Sequence, residues 1–224
     1  MNRLIFVGLF CEGPTDPRFL ESVAKRTLNN VVFECDGDFE IELVPIEINK
    51  TGLSFVEQVL SASQAGVSEH GIMILCVHTD ADQDSNVRAL TSKINPAQEA
   101  LLTRCELEYC HVLTPIVPVQ MVESWMLADK ELLKREIGTN KGDNELGIQR
   151  NPEEMADPKA VIQGAIRIAR MDFPKRRRRD LEINDIYLPI GQKLELERLR
   201  TLPSYVDFEN AIRDSLRRLN FLHQ

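Results

Sequence analysis

Four short apolar runs, each followed by a segment of helical periodicity, constrain this chain more than any other feature. They are RLIFVGLF at 3–10, FEIELVPIEI at 39–48, GIMILCVH at 71–78 and CHVLTPIVPV at 110–119. The first and third are almost unbroken in apolar character, as expected of strands buried on both faces. Between the runs, Phe19, Leu20, Val23 and Ala24 recur at helical spacing, and so do Phe55, Val56, Val59 and Leu60. Asp16-Pro17 and Asn95-Pro96 read as helix starts, a capping side chain followed by proline at the first helical position. A further helix is expected from about Val122 to Lys134. Strands alternating with helices at this spacing predict an α/β fold with a largely parallel sheet.

The pattern changes after residue 135. GTNKGDNELGIQRN at 138–151 is polar and glycine-bearing, so it reads as a loop or boundary. Asp157-Pro158 then opens a helix carrying Val161, Ile162, Ala165, Ile166 and Ala169, and two more helices are expected at 194–202 and 208–219. The expected plan is an α/β core over 1–135 and a helical C-terminal extension over 136–224, packed on the core.

Composition matters here for what it excludes. No run of 18 apolar residues occurs, so no membrane-spanning helix is expected. The opening run is too short, and too soon followed by acids, for a signal peptide, so a cytoplasmic location is expected. Five cysteines, odd in number and without a CxxC pair, suggest neither a disulfide framework nor a zinc site. The net charge of −8 argues against a general coat for nucleic acid, but it is unevenly placed. Residues 1–130 hold 9 basic and 19 acidic side chains, whereas 131–224 hold 18 and 16. The strongest positive feature is Lys175, Arg176, Arg177, Arg178 and Arg179, which reads either as a phosphate-binding loop or as a solvated one.

The acids cluster where chemistry is expected. In open α/β sheets, ligands bind outside the carboxyl ends of the strands. The first apolar run ends in CEGPTD, with Glu12 and Asp16, and the third ends in TDADQDS, with Asp80, Asp82 and Asp84. Alternate residues of an extended stretch share a face, so aspartates at steps of two can converge. Carboxylates held together repel, and a cation that prefers oxygen ligands relieves the repulsion. Mg²⁺ is the expected one, held by one or two carboxylates plus waters and substrate phosphates. Glu123 reads equally as a third acid and as a helix N-terminal charge favoured by the dipole. Asp16 is best explained as the cap before Pro17 and is left out of the chemistry.

EG in the first strand–helix turn, with DxD after a later strand, resembles the TOPRIM domain of primases, topoisomerases and overcoming-lysogenization-defect (OLD) nucleases. CEGPTDPRFL followed by QMVESWMLAD is closer to small stand-alone TOPRIM-like proteins encoded beside AAA or ABC-type ATPases in bacterial defence loci. The nuclease subunit of the PARIS phage-defence system is of this type. NPEEMADPKAVI and GQKLELERLRTLPSYVDFENAI also look like that family's second half. The resemblance implies a TOPRIM-like (Rossmann-like) α/β fold. It implies Glu12 as general acid/base or metal ligand, Asp80 and Asp82 as catalytic ligands of Mg²⁺ (or Mn²⁺), and Glu123 as a matching acid. Asp84 stands where the family often has Glu and is the further metal candidate. A basic catalytic residue is implied, with Lys193 and Lys159 as its candidates.

The leading expectation is therefore a metal-dependent nuclease that hydrolyses phosphodiesters of DNA or RNA. The competing one is a non-catalytic subunit that docks on an ATPase and binds nucleic acid or a phage trigger; a homo-oligomer is compatible with either. A haloacid-dehalogenase-type phosphatase is disfavoured, because its nucleophile normally follows the first strand, which here ends in EG. GxxxxGK[ST] and GxGxxG turns are absent, so nucleotide binding through those loops is not expected.

Overall fold

The computed structural model of the chain describes residues 3–171, 173, 174, 176 and 180–223. Four strands, β1 (Arg3–Cys11), β2 (Phe39–Pro45), β3 (Ile74–His78) and β4 (Leu113–Ile116), form one sheet. Its order is β2-β1-β3-β4, and every neighbouring pair is parallel. Helices cover both faces, giving a Rossmann-like α/β fold. The order places the topological switch between β1 and β3: the chain leaves β1 for β2 on one side, then crosses back to β3 on the other.

The two faces are set by the alternation of side chains along β1. Ile5, Val7, Leu9 and Cys11 enter one core with α1 (Pro17–Val32), while Phe10 enters a second core with Val59 and Ala62 of α2 (Phe55–His70). β2 stops at Pro45 instead of running to residue 48. Ile41 and Leu43 pack in the first core while Val44 and Ile46 pack against the second, as the alternation of an extended strand places them, and the Ile46 N–H still bonds Leu9 O at 2.8 Å. β4 is shorter than the 110–119 run: it ends at Ile116, before Pro118, and carries Pro115 within it at the sheet edge.

Between β3 and β4 a helical segment runs through α3 (Val87–Ala89), a π-helical turn at Leu90–Ile94 and α4 (Asn95–Leu102). Asn95-Pro96 therefore continues a helix rather than starting one. Pro96 has no N–H for the Ser92 carbonyl, and its ring crowds that group. The wider turn, in which the Asn95 N–H reaches Leu90 O, makes room. After β4 come α5 (Glu123–Met126), α6 (Lys130–Ile137), α7 (Asp143–Leu146), α8 (Pro158–Arg170), α9 (Ile183–Lys193), α10 (Leu196–Leu199) and α11 (Pro203–Arg218).

The helix α9 was not expected from the sequence. Pro189 and Gly191 disfavour a helix interior, but burial of Ile186, Tyr187 and Ile190 outweighs their propensities. Gly191 is required by packing: a Cβ there would lie 2.7 Å from the Phe19 carbonyl oxygen of α1. Arg26 of α1 donates to the carbonyls of Leu194 (2.6 Å) and Gly191 (2.7 Å) at the end of α9. The last helix starts at Pro203, earlier than residue 208, and the 194–202 helix shrinks to one turn. α11 is tied to the sheet layer by Thr114–Ser215 (2.6 Å) and Thr27–Tyr205 (2.9 Å) hydroxyl bonds, so both halves of the chain share the first core.

Candidate active site

The carboxyl ends of β1 and β3 lie side by side, and the backbone ladder continues past them: the Glu12 N–H donates to His78 O at 3.2 Å. This brings Glu12 next to Thr79 and Asp80. Thr79 Oγ1 donates a short hydrogen bond to Glu12 Oε2. Lys93 Nζ bonds Glu12 Oε2 at 2.9 Å, Oε1 at 3.2 Å and Thr79 Oγ1 at 2.8 Å. Lys93 lies on the π turn, a deviation that recurs at functional sites. It is the basic residue that reaches the acids. Lys193 does not: its Nζ pairs with Glu136 at 2.8 Å on the C-terminal end of α9. Lys159, the other candidate, lies 3.4 Å from Glu123.

The loop after β3 is fastened to the segment after β4. Thr79, Ala81 and Asp82 N–H groups donate to Ile116, Pro118 and Gln120 carbonyls, and Gln120 N–H returns to Gln83 O. Two residues facing each other here, Asp82 (φ 54°) and Gln120 (φ 61°), are left-handed. Such backbone costs about 1–3 kcal/mol and persists where neighbours over-determine it. Asp80 Oδ1 accepts from Val122 N–H at 3.0 Å and meets His78 Nε2 at 3.2 Å. The exposed Asp82 carboxyl has a raised pKa, from burial of its surroundings first, then from the Asp80 and Glu12 charges, with Lys93 opposing. A cleft of about 320 Å³ is lined by Asp80, Asp82, Arg88, Ser92 and Lys93.

His78 sits beneath this cleft, fully buried at the end of β3. Its Nδ1 is 3.3 Å from Asp16 Oδ2, outside good hydrogen-bond geometry, and its Nε2 faces Asp80. Burial alone would lower the imidazole pKa; the flanking Asp16 and Asp80 carboxylates, with the Cys11 thiol, outweigh it and hold the pKa well above its ordinary value. The buried His78 ring thus links the CEGPTD turn to Asp80. Burial would raise the Asp16 pKa, but His78 and the Gly13 N–H hold it low. Asp16 is not the cap that the sequence suggests. It stands at the N-cap position of α1 with helical backbone (φ −62°) and no capping bond. Its carboxylate turns back to accept from Gly13 N–H at 3.0 Å.

That return explains the glycine of EG: a Cβ on Gly13 would lie 2.3 Å from Asp16 Oδ2. Gly13→Ala is expected to push Asp16 off both Gly13 N–H and His78, costing about 1–3 kcal/mol through a buried charge left with poorer partners. Urea unfolding measures the loss; an unchanged midpoint would show that Asp16 is free to move.

Glu123, at the start of α5, is buried and is not among the residues that line the cleft. Tyr187 OH of α9 donates a short hydrogen bond to its Oε1, and burial, then Glu123 itself, raises the tyrosine pKa. Asp84 is exposed in the loop. Of the basic run, Arg176 is exposed, whereas Lys175, Arg177, Arg178 and Arg179 lie outside the described residues. No family model, characterised protein or solved structure matches this chain. The site is therefore read from its own chemistry.

Among the described residues, no three His, Cys, Asp or Glu side chains form a ready-made metal cluster. The donor set nevertheless suits Mg²⁺, which binds through one or two carboxylates and fills its shell with waters and phosphate oxygens. Glu12, Asp80 and Asp82 offer hard oxygens, and the mutual repulsion felt at Asp82 is what a cation would relieve. Glu123 and Asp84 are not brought into this set. Sequence reading missed Lys93, Arg88, His78 and Tyr187. The one available signal was a histidine closing an otherwise apolar strand before Thr79-Asp80.

Proposed function

We propose that this chain is a TOPRIM-like, Mg²⁺-dependent nuclease whose centre is Glu12, Asp80, Asp82 and Lys93. The observation that carries the reading is the pairing of Glu12 with Thr79 and Lys93 across the β1/β3 switch point, beside a cleft where Asp80 and Asp82 face Arg88 and Lys93. Acids alone would repel a phosphodiester. Acids interleaved with two cations can hold one while leaving a place for a divalent ion.

When bound there, Mg²⁺ would polarise the phosphoryl oxygens and lower the pKa of a water. The chain's own groups divide the remaining work. Asp80 is held in place by Val122 N–H and His78. Glu12, whose side chain is 41% exposed, is the open carboxylate that accepts a proton from an attacking water. Lys93 and Arg88 stabilise the charge that develops on the phosphoryl oxygens, a contribution that costs about 10²–10³ in rate when one such donor is removed.

The test is cleavage of plasmid DNA, a single-stranded oligonucleotide and tRNA by the purified protein, in Mg²⁺ or Mn²⁺ against EDTA, alone and with a neighbouring ATPase. Lys93→Ala is expected to lower the divalent-dependent rate about 10²-fold with little change in substrate affinity. No divalent-dependent cleavage of any substrate, under either condition, would refute the reading.

A further inference from the structure

A groove of about 700 Å³ opens between α8 and the segment leading into α9, with Thr15 among its lining residues. Thr15 is its lip towards the CEGPTD turn, three residues and at most about 11 Å of chain from Glu12. The α8 side carries Lys159, Gln163, Arg167 and Arg170 along one helical face. Eleven residues separate the first from the last, so the cations spread over about 16 Å at 1.5 Å per residue.

Two of these cations are not spent on acids. Arg167 and Arg170 have no carboxylate within ion-pair distance among the described residues, whereas Lys134, Lys193, Arg200 and Arg213 are all paired. The Arg170 guanidinium lies 4.6 Å from the Phe173 ring centroid. Lys159 is shared with Glu123 at 3.4 Å but is 45% exposed. Glu182, the one acid among the described residues that line the groove, is engaged in the capping box that starts α9. The walls are apolar: Ile166, Leu181, Ile183 and Met171, of which Met171 is 53% exposed.

We propose that this groove binds a single strand of nucleic acid, its phosphates on Lys159, Arg167 and Arg170 and its bases or sugars against Met171, Leu181 and Ile183. A row of cations about 16 Å long matches a chain of phosphates better than one anion. The apolar wall selects a single strand, because a duplex keeps its bases stacked inside and offers only backbone. Sequence-tolerant single-strand binders pair a positively charged groove with aromatic stacking surfaces; here Met171, Leu181 and Ile183 supply apolar surface in their place. The direction of the strand, past Thr15 towards Glu12, rests on the nuclease reading above; the binding itself does not.

The experiment is fluorescence anisotropy of a labelled 20-nucleotide single strand and of the matching duplex, in EDTA, across a salt series. Arg167→Ala is expected to weaken single-strand binding at least fivefold and to reduce the slope of log K against log salt by about 0.7, one phosphate contact. Met171→Gln, a neutral change at an exposed position, is expected to weaken the single strand and spare the duplex. Circular dichroism confirms that both variants fold. Three results would overturn the proposal: no single-strand binding by the unmodified protein at low salt, affinity and slope unchanged in Arg167→Ala, or equal competition by an oligoglutamate peptide. Because nothing is cleaved in EDTA, intact binding with no cleavage would sink the nuclease reading alone. Cleavage with binding indifferent to the groove would sink the groove alone.

Discussion

Asp80→Asn is expected to lower divalent-dependent cleavage about 10³-fold, some 4 kcal/mol on the barrier at 1.36 kcal/mol per tenfold, while the protein stays folded. The substitution keeps an oxygen where Oδ1 now accepts from Val122 N–H at 3.0 Å and meets His78 Nε2 at 3.2 Å. The loop after β3 is also fastened by backbone bonds that do not involve this side chain. What disappears is the negative charge that faces the cleft beside Asp82. A cation held by one or two carboxylates loses a principal ligand, and the proposed chemistry loses its metal. Cleavage rates at saturating Mg²⁺, with thermal unfolding as the control for fold, decide the matter. A folded Asp80→Asn protein cutting at the unmodified rate would remove Asp80 from the chemistry.

The largest stability effect is expected at Trp125. Its side chain is fully buried on α5, with Nε1 donating to Ser204 Oγ at 2.8 Å and the rings of Tyr205 and Phe208 at 5.3 and 6.0 Å. Trp125→Ala empties the junction between α5 and α11 and removes Ser204's donor. Aromatic-to-alanine changes in a core cost about 3–5 kcal/mol, a large share of the roughly 5–15 kcal/mol that holds a typical domain. Urea unfolding reads the loss directly, and a destabilisation below about 1 kcal/mol would show that the junction repacks. The site should suffer with it, since α5 begins one residue after Val122, whose N–H holds Asp80.

Much of the fold can be read along the chain because its signals are local. The near-continuous apolar runs at 3–10 and 71–78 read as strands covered on both faces, and they became the adjacent β1 and β3. Pro45 ends β2, and Pro118 follows the end of β4 at Ile116. By contrast, α9 contains Pro189 and Gly191, which read locally as helix breakers. Its stability comes from Tyr187 and Ile190 in the shared core and from the close approach to Phe19, contacts between residues some 170 apart. The helix at 87–102 was read as starting too late because Asn95-Pro96 carries the same local signal as a true start. Only the π turn reveals that the chain is already helical there.

The candidate site divides along the same line. The sequence by itself determined that Glu12 stands at the end of one strand and that Asp80 and Asp82 lie in the loop just after another, because each follows closely on an apolar run. The tertiary structure alone decided which strands are neighbours, and so that Glu12 meets Thr79 and Asp80. It also decided that Glu123 faces Tyr187, that Lys93 pairs with Glu12 while Lys193 pairs with Glu136, and that Asp16 lies against His78 instead of capping α1. The physical reason is one of range. Strand and helix signals are written in backbone periods of two and 3.6 residues, whereas an ion pair depends on where two distant side chains finish once the sheet order and helix packing are set.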